Sequence, residues 1–142
     1  MAPILTLQRM SAPQLADRMY HGSASLAIID VRDSDYIGGH IRGSMHFASA
    51  SFDVMLPTLL RTLQGVHTVV FHCAQSQQRG PSAAQMYLRE VAAQQARGHA
   101  GVFPHVPQTV YVLDGGFVTW QQLYGHDTFL TEGYRRELWR YY

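Results

Sequence analysis

The chain has 142 residues and a mass of 16.0 kDa, which fits one domain. Hydrophobic residues make up 46% of it and charged residues 15%, so the composition supports a folded core and excludes a disordered chain. The net charge of +1, without a basic cluster, is unlike that of nucleic-acid-binding proteins. No run of about 18 apolar residues could span a membrane, and the first ten residues lack the pattern of a secretory signal.

The chain contains one cysteine, Cys73. A single cysteine cannot form an intramolecular disulfide or a multi-cysteine zinc site, and it fits a reducing compartment, the cytoplasm or the nucleus. No two of the eight histidines have the i, i+4 spacing with an acid between them that marks a zinc-binding helix, so we expect no metal. All eleven basic residues are arginines, which excludes Schiff-base chemistry on lysine.

The first half of the chain alternates apolar runs with helical patterns. A short apolar run predicts a strand at 4–7, and Ser11 followed by Pro13 predicts a capped helix at 12–20. The continuous apolar run at 26–31 is typical of a strand buried on both faces. After a glycine-rich stretch, a short strand is predicted at 45–47.

The second half continues this alternation. Helical spacing of apolar residues predicts a helix at 52–63, followed by a β-branched strand at 68–71. An Ala-rich helix is predicted at 81–97, a buried strand at 110–113 and a last helix at 117–124.

Strands that alternate with helices predict an α/β fold, with a largely parallel central sheet flanked by helices. We expect one domain over residues 1–142, with a core at about 4–125 and a C-terminal aromatic and basic tail at 126–142. The tail is expected to pack back on the core; a docking or self-association surface is the alternative, because Trp, Tyr and Arg favour interfaces.

The segment between the strand at 68–71 and the helix at 81–97 carries the predicted chemistry. Cys73 follows the strand and Arg79 precedes the helix, with five residues between them. A loop in this position can point its backbone N–H groups and the helix N-terminus at one centre, where an oxyanion binds and a thiolate is stabilised. Arg79 can add a bidentate contact to that oxyanion. A buried structural cysteine is the alternative.

Neighbouring residues are given supporting roles. Gly80 is expected to cap the helix, with Pro81 at its first position. His72 is expected to orient the loop through its ring N–H, and the Ser76 hydroxyl to serve the thiolate or an attacking oxygen. The oxyanion is predicted to lie among Arg79 and the five loop residues Ala74, Gln75, Ser76, Gln77 and Gln78.

His72-Cys73-x5-Arg79-Gly80-Pro81 resembles the active-site loop of the M-phase inducer phosphatases. Their relatives, the small eukaryotic arsenate reductases and the small plant and fungal phosphatases, share this loop and the rhodanese fold. The resemblance extends over residues 29–33, 36–44 and 110–117 with Trp120, and so over roughly 4–125.

This resemblance implies a rhodanese-like catalytic domain in which Cys73 attacks phosphorus or arsenic. Asp30 and Arg32 correspond to a pair that braces neighbouring loops in the family. Five residues between Cys73 and Arg79 match the members that use phosphate or arsenate, whereas sulfurtransferases of this fold typically have four.

Two absences shape the expected activity. The loop holds no carboxylate, although several of these phosphatases carry a Glu there, and Asp33 and Asp35 are expected to be solvated turn carboxylates. A general acid must then come from elsewhere or from the substrate. The chain also has no second cysteine to reset Cys73, so an arsenate reductase would depend on glutathione with glutaredoxin.

Four functions follow, in order of preference. The first is a phosphatase of the tyrosine or dual-specificity type, acting without a cofactor through a cysteinyl-phosphate. The second is an arsenate reductase on the same loop, with glutathione as co-substrate. The others are a thiosulfate sulfurtransferase and a non-catalytic binding module. We expect no nucleic-acid or membrane partner.

Overall fold

The computed structural model describes residues 7–22 and 25–140. In this part of the chain the α-helices are α1 Ala12–Tyr20, α2 Phe52–Thr62, α3 Arg79–Ala96 and α4 Gly116–Tyr124. The strands are β1 Gln8–Met10, β2 Leu26–Asp30, β3 His40–Ile41, β4 Met45–His46, β5 Thr68–His72, β6 Thr109–Leu113 and β7 Thr131–Glu132. Short 3-10 turns lie at Ser49–Ser51, Gly98–Ala100 and Arg136–Trp139. None of these helices is long and apolar enough to cross a membrane.

Five of the strands form one parallel sheet in the order β1-β6-β5-β2-β4. The remaining two, β3 and β7, form a separate antiparallel pair. Strand β5 is central and all five of its residues are buried, as expected for an inner strand covered by helices on both faces. Because the strands are parallel, the loops after β2, β5 and β6 meet at one edge of the sheet, where the site is expected.

The core has two parts, one on each face of the sheet. Val69 and Phe71 of β5 pack with side chains of α2 and α3, whereas Val70 packs with side chains of α1 and α4. This alternation is the two-residue period of a strand buried between helices. The predicted parallel α/β sandwich is confirmed.

Helix α1 begins where the sequence predicts. The Ser11 hydroxyl accepts a hydrogen bond from the Gln14 backbone N–H at 3.2 Å, and the Gln14 side chain accepts one from the Ser11 N–H at 2.9 Å. This reciprocal capping box satisfies two N–H groups that the first turn leaves unpaired. Helix α2 continues through Pro57.

The first strand differs from its prediction. Residues 4–6 of the predicted strand lie outside the described residues, and Leu7 is not in a strand. Strand β1 lies at Gln8–Met10 because its register with β6 pairs Gln8 with Tyr111 and Met10 with Leu113. The sequence also misses β3 and β7, because each is two residues long and exists only through the distant pairing of His40 with Glu132.

Helix α3 begins at Arg79, two residues before its predicted start. Gln78 occupies the N-cap position, and its carbonyl accepts a hydrogen bond from the Ser82 N–H at 2.9 Å. Gly80 is therefore inside the first turn, and its predicted N-cap role is wrong. Its N–H donates a hydrogen bond to the Cys73 sulfur instead, at 3.3 Å.

The C-terminal segment packs back on the core, as predicted. Trp139 is 8% exposed, its ring centroid lies 5.3 Å from that of Phe117, and its indole N–H donates to the Gly38 carbonyl at 2.9 Å. A Cβ at Gly38 would lie 2.5 Å from the indole nitrogen, so this position requires glycine. The contact ties the end of the described chain to the turn that follows β2.

Candidate active site

Cys73 lies at the carboxyl end of the central strand β5. Its side chain is buried, at 3% exposure, and its sulfur accepts the hydrogen bond from the Gly80 N–H in the first turn of α3. An N–H donor from a helix N-terminus stabilises a thiolate. We use "cysteine loop" for residues 73–79. A cavity of about 300 Å³ is lined by this loop through Cys73, Ala74, Gln75, Gln77, Gln78 and Arg79.

Ser76 turns the cysteine loop. Its φ of 56° is the only positive value at a non-glycine residue in the described chain, and its side chain is 1% exposed. Its hydroxyl accepts a hydrogen bond from the Cys73 N–H at 3.4 Å, and its carbonyl accepts one from Arg9 at 3.5 Å. A left-handed residue costs about 1 kcal/mol or more and clusters at functional sites. Ser76 therefore shapes the loop, and its side chain does not line the cavity.

Arg79 forms an ion pair that the sequence does not predict. Its two terminal nitrogens donate to the Asp35 carboxylate at 2.7 and 2.6 Å, and one of them lies 3.3 Å from Asp33. Both aspartates lie in the turn after β2 and stay partly exposed, as expected of turn carboxylates, but that turn also brings them to the first turn of α3, where they pair with Arg79. In this arrangement the guanidinium is engaged by carboxylates and has to turn to reach an oxyanion.

The two aspartates are held as carboxylates. Hydrogen bonds from Arg79 lower the pKa of Asp35 to about 2. The pKa of Asp33 is lowered first by the Ser49 hydroxyl at 2.5 Å and the Ala50 N–H at 2.9 Å, and then by Arg79. A general acid has to carry a proton near the working pH. Neither aspartate can supply one while it is paired in this way.

Asp30 and Arg32 form a fully buried ion pair below the loop. Arg32 donates to Asp30 at 2.8 Å and to the carbonyls of Gly39 and Ile37 at 2.8 and 3.3 Å. Burial alone would raise the pKa of Asp30, but the hydrogen bonds and the charge of the Arg32 guanidinium lower it. The pair thus ties the end of β2 to the turn at Gly39, which supports the bracing role that the resemblance implies.

His72 is the buried residue beside the nucleophile. Its Nδ1 lies 3.2 Å from the Cys73 carbonyl, and this nitrogen is the donor because a carbonyl only accepts. Its Nε2 lies 3.7 Å from Asp30 and has no hydrogen-bond partner. Burial lowers the pKa of His72, so the ring is neutral near pH 7. This contact supports the predicted role of orienting the loop.

Helix α4 holds the cysteine loop from the β6 side. The N–H groups of Phe117 and Val118 donate to the carbonyls of Cys73 and Ala74 at 3.0 and 2.8 Å. Gly116 has a φ of +56°, and a Cβ there would lie 2.5 Å from both of those carbonyl oxygens. The close approach of α4 to the loop therefore depends on this glycine.

The comparisons with known proteins agree with this geometry. The pattern of the rhodanese-like domain matches residues 11–123. The chain belongs to the rhodanese-like domain family. Among curated relatives of this family, CDC25-like phosphatase YCH1 of Saccharomyces cerevisiae is 40% identical over 125 residues, or 80% of this chain and 77% of that protein. Arsenate reductase 2.2 of Oryza sativa subsp. japonica is 43% identical over 97 residues, or 68% and 69%.

Solved structures of rhodanese-like proteins show the same fold. The yeast Ygr203w, described as a protein tyrosine phosphatase of the rhodanese family, superposes with a TM-score of 0.78 at 34% identity, covering 97% of this chain and all of that one. The As-Sb reductase from Leishmania major gives a TM-score of 0.61 at 28% identity, covering 86% and 81%. The predicted family and fold are confirmed, and the relatives carry the two enzyme classes that the sequence favours.

The site also contains residues that the sequence reading misses. Asp33 and Asp35 contact Arg79, and Arg9 contacts the loop at Ser76. One signal was available: the aspartates follow β2, whose carboxyl end meets that of β5 at the same sheet edge. Arg9 gives no such signal, because it lies on an edge strand paired only through β6.

Proposed function

We propose that this rhodanese-like domain is a cysteine-dependent phosphatase of the tyrosine or dual-specificity type. The observation that carries the proposal is the Cys73 sulfur, which lines the loop cavity and accepts the Gly80 N–H at the start of α3. A dianionic, tetrahedral phosphate matches a loop of N–H donors at a helix N-terminus. The named activities of YCH1 and Ygr203w support the same assignment.

The reaction proceeds in two displacements. The Cys73 thiolate attacks phosphorus in line, forming an S–P bond while the P–O bond to the organic group breaks. Water then attacks phosphorus, the S–P bond breaks, and inorganic phosphate leaves with the thiolate restored. Arg79 turns from Asp35 to hold two equatorial oxygens, and the loop N–H groups hold the others.

The state of the aspartates bears on the leaving group. Asp33 and Asp35 are ionised through their contacts with Arg79 and the Ser49 turn, so the departing oxygen has no proton donor there. A phenolate, with a pKa near 10, departs without a proton far more easily than an alkoxide. Aryl phosphates are therefore the preferred substrates in this proposal.

The test is the hydrolysis of p-nitrophenyl phosphate by the wild type and by Cys73→Ser. We expect turnover by the wild type and a loss of at least about 1,000-fold in the variant, which should still bind inorganic phosphate. Arg79→Lys should lose about 100-fold, because the ammonium cannot replace the bidentate fork. Full activity of Cys73→Ser would overturn the mechanism.

Arsenate reduction is the second candidate, favoured by the similarity to the rice and Leishmania enzymes. Cys73 would attack arsenate and displace hydroxide. A glutathione thiolate would then attack the Cys73 sulfur, releasing arsenite and leaving a Cys73–glutathione disulfide that glutaredoxin reduces. Two thiols thus supply the two electrons that reduce the arsenic. Arsenite release that requires both glutathione and glutaredoxin would support this activity.

We also propose a cytoplasmic or nuclear location, because the mechanism needs Cys73 to stay reduced. Fluorescence microscopy of the tagged full chain would test it. Accumulation in an oxidising compartment would contradict it.

A further inference from the structure

Arg9 lies on the edge strand β1 and reaches the cysteine loop from outside. One of its terminal nitrogens donates to the Asp114 carboxylate at 2.9 Å, and the other donates to the Ser76 carbonyl at 3.5 Å. Asp114 follows β6, and its N–H donates to the Met10 carbonyl of β1 at 2.9 Å, so the two strand ends that carry this ion pair are tied together. The guanidinium is thereby held beside the loop.

The Ser76 carbonyl points away from the cavity that the cysteine loop lines. Among the described residues, neither Arg9 nor Ser76 lines that cavity, whereas the neighbours Gln75 and Gln77 do. In a trans peptide the carbonyl of one residue and the N–H of the next point in opposite directions, and the described chain has no cis peptide. The N–H of Gln77 therefore faces the cavity because the Ser76 carbonyl faces Arg9.

The Gln77 N–H is available to a bound oxyanion, because it donates no hydrogen bond within residues 7–22 and 25–140. The peptide unit that carries it follows a left-handed residue, Ser76, whose conformation costs about 1 kcal/mol or more. Such a turn persists only where neighbouring groups hold it. The Ser76 hydroxyl makes one such contact inside the loop, with the Cys73 N–H, and Arg9 makes one from outside.

We propose that Arg9 is a positioning residue of the oxyanion site: it holds the Ser76 carbonyl outwards, so that the Gln77 N–H stays aimed at the bound oxyanion. The inference rests on the proposed function, and it applies to phosphate and arsenate alike. Arg9 acts through this one peptide unit, since it does not line the cavity itself. Without the guanidinium the peptide unit is free to rotate, and its carbonyl oxygen then repels the anion where the N–H attracted it.

The direct test is the affinity of inorganic phosphate for the Cys73→Ser protein, measured by isothermal titration calorimetry. Adding Arg9→Gln should weaken phosphate binding about 5- to 10-fold, because one N–H donor to a charged group is lost.

Arg18→Gln is the matched control. Arg18 lines the same small cavity beside β1 as Arg9, but it donates to Thr68 at 3.2 Å and makes no contact with the loop within the described chain. The substitution removes the same charge and should change the affinity for phosphate by less than about twofold, because salt screens a charge that lies outside the site. Equal weakening by Arg9→Gln and Arg18→Gln would show that only charge matters and would overturn the proposal.

The reactivity of Cys73 separates the positioning of one peptide unit from general damage to the loop. The sulfur accepts its hydrogen bond from Gly80 and none from Gln77. Alkylation of Cys73 by iodoacetamide should therefore show the same pH profile in Arg9→Gln as in the wild type. A shifted profile would mean that the whole loop has moved, which contradicts the proposed role of Arg9.

Failure of this inference can be distinguished from failure of the phosphatase assignment. If the wild type hydrolyses no phosphate ester, the proposed function fails, yet phosphate binding to Cys73→Ser still reports on Arg9. If the wild type hydrolyses p-nitrophenyl phosphate but Arg9→Gln leaves the phosphate affinity of Cys73→Ser unchanged, the phosphatase stands and the role of Arg9 is refuted. A Cys73→Ser protein that binds no phosphate would refute both.

Discussion

Both terminal nitrogens of Arg79 donate hydrogen bonds to Asp35, and one of them also contacts Asp33. The residue expected to bind the oxyanion is therefore held by carboxylates beside the loop. These contacts are partly exposed, with the Arg79 side chain at 33% and that of Asp35 at 42%. A pair this accessible to water contributes little to stability, about 0.2–1 kcal/mol. An oxyanion therefore competes with Asp35 for Arg79, and this weak ion pair lowers the affinity of the site for the oxyanion.

Asp35→Asn should strengthen oxyanion binding. The amide keeps the shape of the carboxylate but loses its charge, so Arg79 is released at a lower cost. We expect inorganic phosphate to bind to the Cys73→Ser, Asp35→Asn protein about 2- to 5-fold more tightly than to Cys73→Ser alone. Isothermal titration calorimetry at low salt measures this. Weaker binding would show that Asp35 orients Arg79 for the oxyanion.

His72 should make stability depend on pH. Burial lowers its pKa in the folded state, while in the unfolded chain it titrates near about 6.5. The unfolded state therefore binds more protons at low pH. The contribution of His72 to the free energy of unfolding is fully present above pH 6.5, about the ordinary pKa of histidine. It is lost as the pH falls below that value, by up to about 1.4 kcal/mol per pH unit. Asp30 and Arg32 are the charged groups beside the ring, and Asp30, whose pKa is lowered, stays a carboxylate in this range.

The measurement is urea unfolding between pH 7.5 and 5. His72→Gln should remove part of the slope seen in the wild type. His99→Gln, at an exposed position, should leave it unchanged. An identical slope in the wild type and His72→Gln would mean that the buried imidazole accepts a proton in the folded state.

Helices α3 and α4 both donate hydrogen bonds to the first residues of the cysteine loop. Helix α3 supplies the Gly80 N–H to the Cys73 sulfur, and α4 supplies the N–H groups of Phe117 and Val118 to the loop carbonyls. The loop is thus positioned by backbone groups of two rigid elements, and its own side chains contribute little beyond the Ser76 turn. Changes at the start of either helix should affect the chemistry without touching the nucleophile.

Gly116→Ala tests this positioning. A Cβ at Gly116 would press on the carbonyls of Cys73 and Ala74, whereas Gly43, which also has a positive φ of 75°, has open space around it. Gly43→Ala should cost about 1 kcal/mol of backbone strain and keep full activity. Gly116→Ala should cost more and lower kcat/KM at least about tenfold. The free energy of unfolding and p-nitrophenyl phosphate kinetics report both effects, and equal activity of the two variants would contradict the argument.

The whole molecule brings distant segments to one edge of the parallel sheet. The turn after β2 carries Asp35, the loop after β5 carries Cys73, and the start of α4 carries Gly116. Trp139, more than a hundred residues from Gly38 in the chain, packs on Phe117 of α4 and donates a hydrogen bond to the Gly38 carbonyl in the turn after β2. The C-terminal segment is therefore part of the core that supports the site.

Trp139→Ala should destabilise the domain by about 3–5 kcal/mol, because it leaves a cavity over Phe117 and removes the hydrogen bond to Gly38. Leu138, 47% exposed, is the neighbouring control, and Leu138→Ala should cost less than about 1 kcal/mol. Urea denaturation measures both. Equal stabilities of the two variants would mean that the segment docks without supporting the fold.

The sequence alone determines the parallel α/β fold, the family and the positions of Cys73 and Arg79, with five residues between them in one loop. These features are local: a continuous apolar run marks β2, a β-branched run marks β5, Ser11 caps α1, and the segment from Cys73 to Arg79 lies between one strand and one helix. Each depends on interactions between residues that are close in the chain.

Only the tertiary structure decides what surrounds that loop. The Asp35 contact with Arg79 and the pairing of β3 with β7 both join segments that are 40 or more residues apart. Their distances depend on how the sheet places the turn after β2 against α3. A periodic pattern describes which face of an element is buried, but it does not determine which side chain of another element lies opposite.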